Sequence, residues 1–329
     1  MNWAEYPSEL LPWMEKTYRQ LAGLAANGKL SHAYLLGGQQ GLGKFTLARH
    51  FAHFLLCTDV QGLTPCGKCR ECQLLAAGTH PDLKVVRPEE SADIKIDQVR
   101  ETIRFINQTS QRGGYKIVIV CPAEAMNTNS ANALLKVLEE PGARTLLLLV
   151  SHQPGLLLAT IRSRCHLLKF ERPPAEMVIP WLESKNVRAS PRELLRMANN
   201  MPLKALQLAD DDALHDRTVL HGVLERLLRS ETDIAGAAAL CEQFDLEENI
   251  ESMLLCTTDI LSRQQGQGKL DDHDLNSLAA FFTNRTRLKA LHEFYLALLQ
   301  ARRAVQSASN PNRLLVLETL FYQWSAMAR

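Results

Sequence analysis

Several things are scarce in this chain, and each scarcity excludes a class. No apolar run approaches the roughly 20 residues needed to span a bilayer; the longest are segments such as Leu146 to Val150. Met1 to Glu5 lack the basic-then-apolar layout of a secretion signal, so a cytoplasmic chain with no membrane partner is expected. Neither sign of charge is in excess: 37 Lys and Arg face 36 Asp and Glu, a formal net charge of +1. A broad single-sign field is therefore missing, although a local basic stripe can sit within such a balance. There is no low-complexity tail and no clear internal repeat. What remains is 329 residues, 46% of them hydrophobic, enough for two or three domains with a substantial core.

The stretch that organises the rest runs from Ala33 to Ala48. An apolar strand, Ala33 to Leu36, leads into a glycine loop, Gly37 to Gly43, and a helix opens at Lys44. Glycines let backbone N–H groups face an anion, and the helix N-terminus adds its dipole. The phosphate-binding pattern G-x-x-x-x-G-K-[ST] holds through Gly38, Gly43 and Lys44, with Gly41 inside it, and then fails. Phe45 stands where a Ser or Thr hydroxyl would hold Mg²⁺, and Thr46 points elsewhere on the helix. The loop can cradle phosphate, but ATP occupancy is left open and its metal chemistry is damaged.

Along the chain, residues 8 to 26 carry Leu10, Leu11, Trp13, Met14, Leu21 and Leu24 at mostly helical spacing, and Asn27-Gly28-Lys29 ends that helix. A helix is expected to Leu56, with Leu47, Phe51, Phe54 and Leu55 inward. Strands are expected at Leu83 to Arg87, Lys116 to Val120, Thr145 to Val150 and His166 to Phe170, the later ones buried. Helices are expected over Ile94 to Ile106, with Asp97 as cap, and over Asn127 to Glu140, stopped by Pro141-Gly142. Strands alternating with helices imply a parallel sheet covered on both faces. After Pro173-Pro174 the pattern is helical throughout. The expected division is 1–170 for the α/β domain, 171–209 for a small helical domain and 210–329 for an all-helical domain.

Four of the eight cysteines, Cys57, Cys66, Cys69 and Cys72, fall in a C-x8-C-x2-C-x2-C set. In a reducing compartment such a cluster reads as a metal site, and four thiolates close a tetrahedral Zn²⁺ shell with no position left for catalysis. An iron–sulfur cluster is the second reading, lacking the ferredoxin-type Cys before Pro. Unligated buried thiols are the third, and explain three cysteines in seven residues beside Gly67 poorly. His80 could replace Cys57 as a ligand or shape the turn at Pro81.

An ATPase of this type also needs an Asp ending a buried strand to hold Mg²⁺, commonly with a Glu beside it. After Lys116 to Val120 come Cys121 and Pro122, neither a ligand for a hard cation. Glu124 lies further on and would need an altered turn to act as a base. Two independent metal contacts are thus missing. Arg164, between a helix and the strand at His166, reads alone as a solvated surface residue, and Cys165 as a packing thiol. At the edge of an α/β domain, however, a planar guanidinium could enter a neighbouring subunit's nucleotide site.

Several segments together carry a resemblance: Ser31 to Leu36, Gly41 to Lys44, the four-cysteine insert behind the loop helix, and Thr79 to Asp82. Asn132 to Pro141 and Ser163 to Cys165 complete it. The chain resembles the AAA+ clamp-loader subunits of bacterial DNA polymerase III over essentially its whole length. The resemblance implies an AAA+ P-loop parallel sheet with a zinc insert, a small helical lid and an all-α C-terminal collar. It implies a stator in a hetero-pentameric ring with gamma/tau and delta subunits, loading the sliding clamp at primer–template DNA. Arg164 would be the arginine finger offered in trans, and a nucleotide-sensing Arg would be expected near Lys204. Lys136 could pass near duplex phosphates. Two other readings stay open: an active ATPase using Thr46 and Glu124, and a zinc-dependent DNA-binding module on a vestigial nucleotide fold.

Overall fold

The computed structural model describes residues 9–89, 91–187, 189–209, 211–264, 278–282, 285–306 and 311–327. The expectation for Met1 to Glu5 lies outside these. Contacts divide the chain into two compact units: Met1–Val187 with Asn200–Lys204, and Arg188–Asn199 with Ala205–Arg329. Among the described residues no helix is long and apolar enough to cross a membrane.

The first unit is built on five parallel strands in the order β2-β3-β4-β1-β5. They are β1 (Ala33–Gly37), β2 (Leu83–Val86), β3 (Lys116–Val120), β4 (Thr145–Ser151) and β5 (His166–Lys169). Every residue of β1, β3 and β4 is buried, as continuous apolar runs covered on both faces require. β5 differs from expectation. It is an edge strand paired only with β1, and Leu167 on it is 58% exposed.

The helices of this unit are α1 (Glu15–Ala26), α2 (Lys44–Leu56), α3 (Arg70–Ala76), α4 (Ile96–Asn107), α5 (Thr128–Glu139), α6 (Ala159–Arg162) and α7 (Ala175–Glu183). A short 3-10 turn, Pro12–Met14, precedes α1, which ends at Gly28 in the left-handed region (φ 65°). Asn127 caps α5 by accepting from the Ser130 N–H at 2.9 Å. Asp97 does not cap α4. Lys95 is the cap residue and its N–H is taken by Gln98 at 2.9 Å, while Asp97 pairs with Arg100 in solvent. The inward face of α5 is Ala131, Leu134, Val137 and Leu138, with Leu135 only half-buried because the stripe drifts around the helix. Likewise Phe54 and Leu55 of α2 are half-buried and Leu56 is buried.

The second unit is helical in the described residues: Pro191–Met197, Asp211–Leu228, Ile234–Glu242, Leu246–Gln264, Arg285–Gln306 and Arg313–Ala326. Its core centres on Trp324, fully buried between the rings of Phe282 and Phe294 at 5.5 and 5.3 Å. The indole N–H, which would be costly to bury unpaired, donates to Leu224 O at 2.9 Å.

In the first unit the fully buried Asp82, at the entry to β2, organises the loop that leads into β3. Its oxygens accept from Ser110 Oγ, Gln111 N and Arg112 N, each at 2.9 Å. Burial pushes its pKa up, but those three donors and the Lys116 charge outweigh burial and hold it below the ordinary carboxylate range. A depressed folded pKa stabilises above the unfolded value, and the effect is lost as pH falls through the folded value. Asp82→Asn is therefore expected to cost about 1–3 kcal/mol near neutrality. In urea unfolding followed against pH, the gap between wild type and variant should narrow below about pH 4. A gap that is constant or widens toward acid would contradict this role.

Candidate functional site

The glycine loop sits where the carboxyl ends of β1 and β4 meet the start of α2, the usual ligand position of an open parallel sheet. Close packing dictates its glycines. A Cβ on Gly38 would lie 2.4 Å from Phe170 O, and one on Gly43 2.1 Å from Leu11 Cδ1. Gly41 and Gly43 also take left-handed φ values of 84° and 90°, which L side chains rarely adopt. Leu11, Trp13 and Met14 wall the loop, and Trp13 Nε1 donates to Leu42 O at 2.8 Å. On another side Leu203 N donates to Gly41 O at 3.0 Å, which brings the backbone of Lys204 against the loop.

Lys44 is buried, and its Nζ donates to Gly38 O and Gln39 O, both at 2.6 Å. Burial lowers its pKa to about 8, against the opposing influence of Cys121 and Glu124. Its ammonium is thus bonded to carbonyls of its own loop. Phe45 is buried next to it, and the Arg87 guanidinium carbon lies 4.1 Å from its ring centroid. An aromatic ring with a cation over it thus occupies the position after the loop lysine. Thr46 is fully buried in the first turn of α2, and its Oγ1 has no hydrogen-bond partner among the described residues.

Beyond β3, Cys121 is buried and its thiol is pushed up to about 11 by burial, so it stays protonated and offers no anionic ligand. Glu124, in the 3-10 turn Ala123–Ala125, folds back toward β4. Its Oε1 accepts from His152 N at 2.8 Å and Gln153 N at 3.1 Å. It thereby caps the end of β4 and acts electrostatically on Lys44. His152 is held neutral, its pKa lowered to about 4 by burial and by Lys44. Sequence reasoning missed Arg87, whose placement over Phe45 depends on where β2 ends. It also left Glu124 as a distant residue, because no local pattern reveals that turn.

The four cysteines converge. The Sγ atoms of Cys57, Cys66, Cys69 and Cys72 all lie within 4.8 Å of one another, with Cys57 and Cys69 at 3.9 Å. Tetrahedral thiolates at 2.3 Å from zinc stand about 3.8 Å apart, so the set is nearly closed around one ion. Backbone N–H groups point at sulfur: Cys66 N to Cys57 Sγ at 3.3 Å, Cys69 N to Cys66 Sγ at 3.2 Å, and Cys72 N to Cys69 Sγ at 3.4 Å. Such donors favour thiolates, and at Cys69 they outweigh burial and bring the pKa to about 6. Gly67 supplies the left-handed turn (φ 71°) between the two knuckle cysteines.

His80 is not in the cluster. Its Nδ1 accepts from Asp82 N at 3.1 Å, which leaves Nε2 to donate to Glu71 at 3.0 Å. Glu71 on α3 also accepts from Arg112 Nε at 3.0 Å. Through these contacts the cysteine insert is tied to the same loop that Asp82 organises.

Arg164 follows α6 at the turn into the edge strand β5. Its side chain is 35% exposed, and it pairs through Nη2 with Glu139 Oε1 at 2.6 Å. Nη1 donates to Thr160 O at 2.9 Å. Cys165, next to it, is half-buried, and burial pushes its thiol up to about 11. Lys136 is exposed on α5.

The families described as DNA polymerase III, delta subunit, and DNA polymerase III, delta subunit, C terminal, match residues 13–174 and 211–326. The Pseudomonas aeruginosa DNA polymerase III subunit delta' is 38% identical, over 97% of this chain and 98% of that one. Its Escherichia coli counterpart is 32% identical over 94% and 93%. A DNA polymerase III, gamma subunit-related protein from Thermotoga maritima is similar in structure. Its TM-score is 0.53 at 18% identity, over 96% of this chain and 100% of that one, a likeness of fold alone.

Elemental analysis of the purified chain is expected to find close to one equivalent of tightly held metal. Cys69→Ser should lose most of it, with faster hydrogen exchange confined to the insert, since metal binding and local folding are coupled. Less than half an equivalent in the wild-type chain would argue against the cysteine reading.

Proposed function

The chain belongs to the delta-prime family of bacterial DNA polymerase III subunits, and from that premise we propose that it acts as the clamp loader's stator. It completes a ring with gamma/tau and delta subunits, and the ring places the sliding clamp on primer–template DNA. Residues 1–170 form the AAA+ domain, 171–209 act as the lid, and 210–329 form the helical collar. The cysteine cluster holds a structural Zn²⁺ whose four-thiolate shell leaves no open position for catalysis.

One observation carries the reading. The nucleotide fold is intact, but both oxygen ligands that magnesium requires are replaced, one by Phe45 under Arg87 and one by the protonated thiol of Cys121. With Lys44 bonded to its own loop, this subunit lacks the means to polarise and cleave a phosphoanhydride itself. Arg164 serves a neighbour's ATP instead. A guanidinium carries fixed charge in a planar fork that suits a transferring phosphoryl group, and such fingers raise rates roughly 10³–10⁵-fold in GTPase systems.

The chain alone should show no ATP turnover with Mg²⁺. In the reconstituted loader, Arg164→Ala should leave folding and assembly unchanged and lower DNA-stimulated ATP hydrolysis roughly tenfold or more, with clamp loading falling alongside. Undiminished hydrolysis in a fully assembled variant complex would overturn the finger assignment.

A further inference from the structure

The finger assignment concerns Arg164 alone, but its guanidinium is not a freely rotating side chain. Nη1 donates to Thr160 O on α6, and Nη2 forms an ion pair with Glu139 Oε1, 2.6 Å away at the last residue of α5. A hydrogen bond from one element and an ion pair from another restrain where the fork lies. Thr160 O is itself held, since it also accepts from Ser163 Oγ at 3.1 Å. The end of α5 is rigid as well. Val137 and Leu138 are buried, and His32, at the entry to β1, pairs its Nε2 with Leu138 O at 3.0 Å.

We propose that Glu139 is a positioning residue that holds the Arg164 guanidinium in the orientation it needs to meet the neighbouring subunit's phosphate. This rests on the finger reading above and adds to it the group that aims the finger. An arginine offers five N–H groups, and among the described residues one of them, on Nη1, is taken up in a hydrogen bond while Nη2 faces the Glu139 carboxylate. The others, Nε–H among them, are left to grip phosphate while Glu139 stays paired.

A pair this exposed contributes little to stability, so orientation is the effect its loss should show. Ordering a long side chain before the subunits meet removes that entropy cost from the encounter. It also matters for chemistry, because small misplacements of a catalytic group are costly.

The test uses the whole reconstituted loader with Arg164→Ala, Glu139→Ala, Glu139→Gln and the double Ala variant. Glu139→Ala should lower kcat for ATP hydrolysis roughly three- to tenfold with KM for ATP unchanged. Glu139→Gln keeps an acceptor oxygen and should restore part of the rate. The double variant should be no slower than Arg164→Ala alone, because Glu139 acts only through the arginine. A wild-type or raised rate in Glu139→Ala, or losses that multiply in the double variant, would overturn the proposal. If Glu139→Ala fails to assemble, Glu139→Ser, too short to reach the guanidinium, decides by the same criteria. If Arg164→Ala itself hydrolyses ATP normally, the finger reading has failed, whatever Glu139 does.

Discussion

The two hydrogen bonds from Lys44 to the carbonyls of Gly38 and Gln39 are the constraint on which the rest of the structure depends. A phosphate-binding lysine works by meeting anionic oxygen with an exposed, charged ammonium. Here the ammonium is buried, its pKa is depressed to about 8, and two of its three donors are engaged by the loop's own carbonyls. Leu11, Trp13 and Met14 close over the loop, and Arg87 lies on Phe45. The site has become part of the packing of the domain.

That change leaves the fold free to serve as a support. The same β5 edge that flanks the loop carries Arg164, and α5 behind it ends in the carboxylate that pairs with the arginine. On the far side of the sheet, Asp82, Glu71, His80 and Arg112 form one connected set. It ties the cysteine insert to the β2 and β3 entries. Buried polar groups of this kind are fully satisfied or very costly, so the insert and the sheet are held in one fixed relation. The proposed role, offering one guanidinium to a partner, would draw on that rigidity.

Much of this was legible in the sequence, and the remainder failed for identifiable reasons. Continuous apolar runs gave β3 and β4 to within a residue, because burial on both faces leaves no alternative composition. The cysteine spacing gave the cluster, because two C-x2-C steps sharing Cys69 crowd three thiols into seven residues shortly after Cys57. Leu167 and Leu168 read as buried, yet apolar letters cannot distinguish an edge strand from a central one, and Leu167 is exposed. Asp97 was a plausible cap, but a polar residue just inside a helix and one just before it look alike in sequence. Glu124, Arg87 and Glu139 were missed or undervalued because each acts through a contact between elements distant in the chain.

The most direct test of the central claim is a calorimetric titration of the isolated chain with ATP, with and without Mg²⁺, alongside a hydrolysis assay. The proposed loss of both magnesium ligands predicts that any binding is weak, is not strengthened by Mg²⁺ and leads to no turnover. Tight binding that requires Mg²⁺, accompanied by hydrolysis that Lys44→Ala abolishes, would contradict it.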